Sequence, residues 1–314
     1  MKIFLAGASG AIGGHLVTQL VARGHEVVGT TRTPAKLGAL RDLGAQAVVV
    51  DALDPESVAE AVAKAEPEVV VHQMTALGGP PDFRHAKRMA AATDRLRIEG
   101  TDHLLAAARA VGVRKFVAQS NALWAAQTGP GLADDNVAIE PNPPADVRES
   151  VDALRHVEAA VTGITWGDGI ALRYGGFYGP GTGLSAEPGA VMAQQIRERK
   201  FPIVGNGAGV WSMVHIVDAA SATVAAVERG TAGIYNVADD DPAPVSVWLP
   251  ELARCLGAKP PRRIPAWLVR LIAGQGPVHL MTRARGISSA KAKRELGWTL
   301  RYPSWRTGFR EGLG

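Results

Sequence analysis

Apolar residues fall in short unbroken runs along the first half of the chain, at 2–6 (KIFLA), 26–30 (EVVGT), 46–50 (QAVVV), 68–72 (EVVVH) and 115–119 (KFVAQ). Runs of this length, without strict alternation, predict strands buried on both faces. Helix-length segments separate them at 11–23, 34–43, 55–65 and 86–111, the last rich in alanine. Pro34 and Pro55 stand where a first-turn proline suits a helix. Strand and helix in alternation predict right-handed crossovers and a parallel sheet covered on both sides, a doubly wound Rossmann-type α/β fold. Past residue 120 the pattern loosens. Residues 129–144, with Pro130, Pro141, Pro143 and Pro144, read as a long surface loop. A helix is expected at 149–162, a strand at 169–174, and further helices near 188–199, 217–229, 246–256 and 289–296.

Composition narrows the class. With 314 residues and 46% hydrophobic content, the chain can bury a large core. The net charge of +4 is dispersed, and the densest basic stretch, Arg283 to Arg294, is broken by Gly286, Ile287 and Ser288. A nucleic-acid partner is therefore not expected. The single cysteine, Cys255, cannot form an internal disulfide, which suits a reducing compartment. The apolar run at the start meets Gly7 too soon for a signal-peptide core, and no run approaches transmembrane length. A cytoplasmic protein without a membrane partner is the expectation. No Cys/His cluster shows metal-site spacing, so no metal is expected.

The first strand runs into Gly7, Gly10 and Gly13, spaced G-x-x-G-x-x-G at the opening of a helix. Gly7 permits the tight turn, Gly10 lets backbone approach a pyrophosphate, and Gly13 lets the helix pack close to the sheet. Ala11 and Ile12 then offer helix N-terminal N–H groups to the anion, with Ser9 beside them. Because strand, glycine turn, helix and second strand follow one another, the motif points to a dinucleotide. The second strand ends Thr30-Thr31-Arg32, with Lys36 one turn on. A carboxylate there would accept from a ribose 2′-hydroxyl, whereas arginine suits a 2′-phosphate. NADP(H) is thus favoured, with NAD(H) as the alternative.

With "GASGAIGG" at 7–14, further segments carry a resemblance: "VVVDALDP" at 48–55, "VVVHQMTAL" at 69–77, "EGTDHLLAAARAVGVRKFVAQS" at 99–120, "LRYGGFYGPG" at 172–181, "VHIVDAA" at 214–220, "YNVADDDP" at 235–242 and "AKAKRELGW" at 290–298. Together they resemble the extended short-chain dehydrogenase/reductases, the NAD-dependent epimerase/dehydratase family, over nearly the whole chain. The resemblance implies a dinucleotide-binding domain at 1–176, completed by about 213–240, and a smaller, mainly substrate-binding domain at 177–314. It places Asp51 and Ala52 at the adenine, and Gln73 and Thr75 in the loop beneath the nicotinamide ribose. It also implies a small-molecule substrate and a homodimer built through the helices at 86–111 and 149–162.

The catalytic pattern of that superfamily is Tyr-x-x-x-Lys on one helix face. The tyrosine moves a proton, while the lysine lowers the tyrosine's pKa and holds the nicotinamide ribose. No tyrosine of this chain has a lysine four residues on. Aligned by Glu158, Ser150 stands at the tyrosine position and Leu154 at the lysine position. Arg155 and His156 lie about 100° and 200° around the helix from Leu154, so neither substitutes; His156 is expected to pair with Asp152. Ser120 and Asn121 end the fifth strand, where either could hydrogen-bond a substrate oxygen, although Ser120 could equally satisfy backbone. Arg97 occupies the usual place of an asparagine close to the cofactor, either as a cation beside it or as a solvated helix residue.

Gly176, Trp211 and Ser212 replace the polar residues with which the family grips sugar nucleotides, so an apolar substrate is expected. Phe177 and Trp211 are the candidate pocket walls, and Asp218 a candidate helix cap. The expected function is an NADP(H)-dependent oxidoreductase or isomerase acting on an apolar carbonyl-containing or conjugated metabolite. Its proton would come from Ser120, Tyr178, water or the substrate. The competing reading is a non-catalytic NADP(H) sensor.

Overall fold

The computed structural model describes the backbone of residues 1–77, 83–125 and 127–314, and the side chains of these outside 83–89. Elements alternate as β1 (Lys2–Ala6), α1 (Ala11–Ala22), β2 (Glu26–Thr31), α2 (Leu37–Asp42), β3 (Gln46–Val49), α3 (Pro55–Ala65), β4 (Val69–His72), α4 (Phe83–Ala110), β5 (Lys115–Asn121), α5 (Arg148–Thr162) and β6 (Asp168–Tyr174). With the strand Gly233–Val237 they form a seven-stranded sheet, ordered Gly233–Val237, β6, β5, β4, β1, β2, β3. All its pairings are parallel. Strand order reverses beside β1, the position where doubly wound sheets open a crevice at their carboxyl ends.

Both faces of the sheet are apolar because both are covered. Ile3, Leu5, Val117, Ile170 and Leu172 pack with α1 and with α7 (Ile216–Arg229). Phe4, Val70, Phe116 and Ala118 face the other way, toward α3, α4 and α5. A separate core behind the carboxyl edge gathers Tyr178, Trp211, Trp248, Trp305 and Phe309.

The helix expected at 34–43 is a 3₁₀ turn, Pro34–Lys36, leading into the short α2. Helices at Ala266–Ala273, Gln275–Arg283 and Trp305–Glu311 are short, bounded by glycine, proline or serine, and fall outside the sequence expectations. The 129–144 segment is not a plain surface loop. Ala133 and Ile139 are buried, and Asp135 accepts from the Asn236 backbone N–H. The Arg285 guanidinium donates to the carbonyls of Thr128, Pro130, Gly131 and Leu132. No helix among the described residues is long and apolar enough to cross a membrane.

Candidate active site

At the carboxyl ends of β1, β2, β4 and β5 lies a cleft of about 610 Å³. The glycine turn forms its floor. Gly7 has φ +92°, and a Cβ there would come within 2.9 Å of the Gln73 backbone. A Cβ on Gly13 would stand 2.3 Å from the Ala8 carbonyl oxygen, so only glycine lets α1 rise this close to the strand. Gly10 is the N-cap of α1 with φ −83°; no side chain caps the helix and its first turn holds no acid. The positive helix end is left for an anion from outside. Thr30 Oγ1 accepts from the Gly7 N–H at 3.2 Å, and Ser9 Oγ donates to Thr31 Oγ1 at 2.9 Å, pinning the turn to β2.

Gly7, Ser9, Gly10, Ala11, Ile12, Arg32, Lys36, Ala52, Gln73 and Thr75 all line this cleft, as does Phe177. Arg32 and Lys36 are exposed at its rim. Gln73 is buried and donates through Nε2 to the Tyr174 hydroxyl at 3.0 Å, while its Oε1 has no partner among the described residues. An unpaired amide oxygen on the wall, a glycine cradle and a bare helix N-terminus fit a dinucleotide. Thr30, Thr31, Leu184 and Met192 also line the cleft. The two threonines follow directly from the second strand's end, whereas the last two come from a loop and from α6 (Val191–Arg197), which no local signal ties to the glycine turn.

Other expected residues stand elsewhere. Asp51 is outside the cleft lining, and its Oδ1 accepts from the Leu53 N–H at 3.0 Å. Ser120 is fully buried and donates to Glu158 Oε1 at 2.6 Å. It belongs to an internal network in which Arg173 reaches both Glu158 oxygens, at 2.7 and 2.6 Å. Asn121 caps the 3₁₀ turn Ala122–Trp124 by accepting from the Leu123 N–H at 2.8 Å. Tyr178 is sealed in the core behind the cleft, edge-on to His215 and Phe309 at 5.2 and 5.1 Å. Its hydroxyl has no partner among the described residues. Burial, with the carboxyls of Asp239 and Asp218, pushes that hydroxyl far above the usual phenol range. Neither Ser120 nor Tyr178 lines the cleft.

Trp211 likewise packs on Trp248 at 5.1 Å and donates to the Leu280 carbonyl, outside the lining. Asp218 is no helix cap: His215 caps α7. Asp218 instead accepts from the backbone N–H groups of Arg301 and Tyr302 at 2.8 Å, tying down the C-terminal segment. His156 bonds Asp102 on α4 at 2.8 Å rather than Asp152, which Arg155 takes.

On α5, Leu154 is buried with Trp124, Ile139 and Val151. Ser150 donates to Asp94 Oδ2 on α4 at 2.6 Å. Asp94 Oδ1 in turn receives Arg97 Nη1 at 3.5 Å, and the two side chains are only 13% and 11% exposed. Arg97 is therefore not a solvated helix residue, but like Asp51 it is outside the cleft lining, and burial pulls it below the usual guanidinium range. His72, beside it at the end of β4, is held neutral near a pKa of about 4 by burial, although the Leu96 backbone bond opposes this.

Comparison with known proteins follows the same lines. Residues 3–238 match the NAD dependent epimerase/dehydratase family. The chain belongs to that family. A 3-diazoavenalumate denitrifying reductase from a Streptomyces species is 43% identical, over 98% of this chain and 99% of its own length. A 4-hydroxy-2-methyl-3-oxo-4-farnesyl-3,4-dihydroquinoline-1-oxide ketoreductase from Stigmatella aurantiaca is 26% identical, over 95% of this chain and 92% of its own. The fold is that of a Thermotoga maritima UDP-glucose 4-epimerase solved with UDP-glucose (TM-score 0.79, 20% identity, 100% of this chain and 97% of that one). A human epimerase family protein solved with NADPH superposes with TM-score 0.74 at 17% identity, over 100% and 99% of the chains. This epimerase/dehydratase-family protein is an oxidoreductase whose cofactor class is the nicotinamide dinucleotide. The sensor reading is set aside.

Proposed function

We propose that this family member is an NADPH-dependent reductase that delivers hydride to a conjugated small molecule and supplies no proton to it. One observation carries the reading. The two positions that align with the proton-transfer dyad are spent on other contacts: Leu154 in an apolar cluster, Ser150 on the Asp94 carboxylate. A ketone reduction needs a proton as well as a hydride, and losing a general acid costs about 10²–10⁴ in rate. An acceptor that takes hydride alone loses nothing.

An arenediazonium ion is such an acceptor. Hydride brings both electrons, the C–N bond leaves with its own pair as N₂, and Ar–N₂⁺ plus hydride balances to Ar–H plus N₂. A diazo compound as substrate and loss of nitrogen as outcome are what the name of the 43% identical Streptomyces reductase states. In this reading bound NADPH supplies the hydride. The glycine turn and α1 N-terminus hold its pyrophosphate, Gln73 and Thr75 flank the nicotinamide end, and Arg32 and Lys36 meet the 2′-phosphate. Phe177, Leu184 and Met192 give the cleft an apolar wall. The chain's own work is positioning.

The test incubates the protein with 4-deuterated NADPH and a hydroxyarenediazonium salt. Loss of N₂ with deuterium on the ring carbon is expected, at a rate nearly flat across the pH range where a tyrosine acid would titrate. Turnover of simple ketones with a bell-shaped pH profile, and none of the diazonium, would overturn it.

The cofactor preference has its own test. NADPH is expected to bind at least tenfold tighter than NADH, about 1.4 kcal/mol, and Arg32→Ala to remove most of that margin. Equal affinities by calorimetry in the unaltered protein would count against it. A homodimer through α4 and α5 belongs to the same reading, and light scattering at the mass of one chain would refute it.

A further inference from the structure

One face of α4 lies against the loop at residues 73–77, which lines the cleft. Thr93, Leu96, Arg97 and Gly100 fall within about 100° of one another around the helix. Thr93 Oγ1 accepts from the Ala76 N–H at 3.1 Å. Leu96 lines the cleft with residues 73–77. A Cβ on Gly100 would be 3.5 Å from the Met74 methyl. Arg97 lies between these contacts, close enough to His72 for its charge to act on that ring. The guanidinium is 11% exposed and next in sequence to Leu96, though not itself part of the cleft lining, with Asp94 at 3.5 Å as its sole hydrogen-bond partner among the described residues.

A guanidinium has five N–H donors in a fixed fork and keeps its charge. Burying one with a single long bond is costly unless a ligand brings acceptors. Its tether also locates it. The Asp94 carboxylate that receives Arg97 on one oxygen receives Ser150 on the other at 2.6 Å. The guanidinium is therefore one carboxylate away from the α5 position aligned with the missing tyrosine. One helical turn on, the lysine position holds Leu154, buried against Trp124 and Val151. The aligned lysine position on α5 holds no cation, and a buried, under-bonded cation stands opposite on α4.

We infer that Arg97 grips the nicotinamide-side ribose of the bound dinucleotide in place of a lysine on α5, with Asp94 and Ser150 as its positioning residues. The ligand group is a vicinal diol, whose two adjacent oxygens suit a planar fork. The inference rests on the reading that the cleft holds the dinucleotide. Unlike lysine, the arginine cannot pass a proton, which accords with a reaction that consumes none.

The test is fluorescence titration of NADPH beside adenosine 2′,5′-bisphosphate, which lacks the nicotinamide ribose. Arg97→Met is expected to weaken NADPH at least tenfold and leave the bisphosphate within twofold. Asp94→Asn and Ser150→Ala are expected to weaken NADPH a few-fold with the same selectivity, and Arg97→Lys to recover part of the loss. Moving the cation back, in Arg97→Asn with Leu154→Lys, is expected to bind NADPH more tightly than Arg97→Asn alone. Unchanged NADPH affinity in Arg97→Met, or equal loss of both ligands in folded Arg97→Met and Arg97→Lys, overturns the assignment. Failure of the unaltered protein to bind either ligand overturns the dinucleotide reading beneath it.

Discussion

Valine at position 10 is expected to abolish nicotinamide-dinucleotide binding while leaving the fold in place. Gly10 has φ −83°, a backbone that any residue adopts, and a Cβ there meets only the Gly7 carbonyl oxygen at 3.3 Å. The branched side chain would fill the space through which a pyrophosphate reaches the bare N-terminus of α1. A loss of at least 100-fold is expected, about 2.7 kcal/mol, with a melting temperature within a few degrees of the parent. Gly13→Val provides the contrast. Its Cβ would lie 2.3 Å from the Ala8 carbonyl oxygen and 2.4 Å from that of Gly7, so helix and strand must separate and the protein itself is destabilised. Retained affinity in Gly10→Val by fluorescence titration would place the cofactor elsewhere.

The second large effect is on stability. Arg173 and Glu158 form an ion pair with side chains 2% and 8% exposed, joined by Ser120 at 2.6 Å and by the Val137 carbonyl, which accepts Arg173 Nη1 at 2.6 Å. Removing one partner leaves an uncompensated buried charge, a loss of about 3–5 kcal/mol. Glu158→Ala is therefore expected to lower stability by about that amount in urea denaturation, an effect of under 1 kcal/mol weighing against the network. Ser120→Ala is expected to shift stability by about 1 kcal/mol and to leave turnover near the parent value. This replaces the expectation that Ser120 meets the substrate, because its hydroxyl is already committed to Glu158.

The sequence places the glycine turn, the sheet's parallel alternation and the arginine after β2, because each depends on neighbours within a few residues. Backbone N–H groups at a helix start are positioned by their own helix, so Gly7, Gly10, Ala11 and Ile12 are legible without a fold. The absence of lysine at 154 is equally plain. Side-chain direction at a strand end is not. Ser120 and Asn121 look interchangeable in the sequence, yet alternation sends Ser120 into the Glu158–Arg173 network and Asn121 onto a turn.

The chain alone thus determined a doubly wound domain, a dinucleotide cradle and an α5 with serine at 150 and leucine at 154, all local or periodic properties. What Arg97, Ser150 and Tyr178 do was decided only by tertiary packing. Arg97 and Ser150 are brought together across α4 and α5 by a shared Asp94, and Tyr178 is drawn into a core assembled from distant segments near residues 215 and 309. Such contacts depend on which helix faces meet, and burial then sets the charge and reach of each group. Neither quantity is carried by residue spacing.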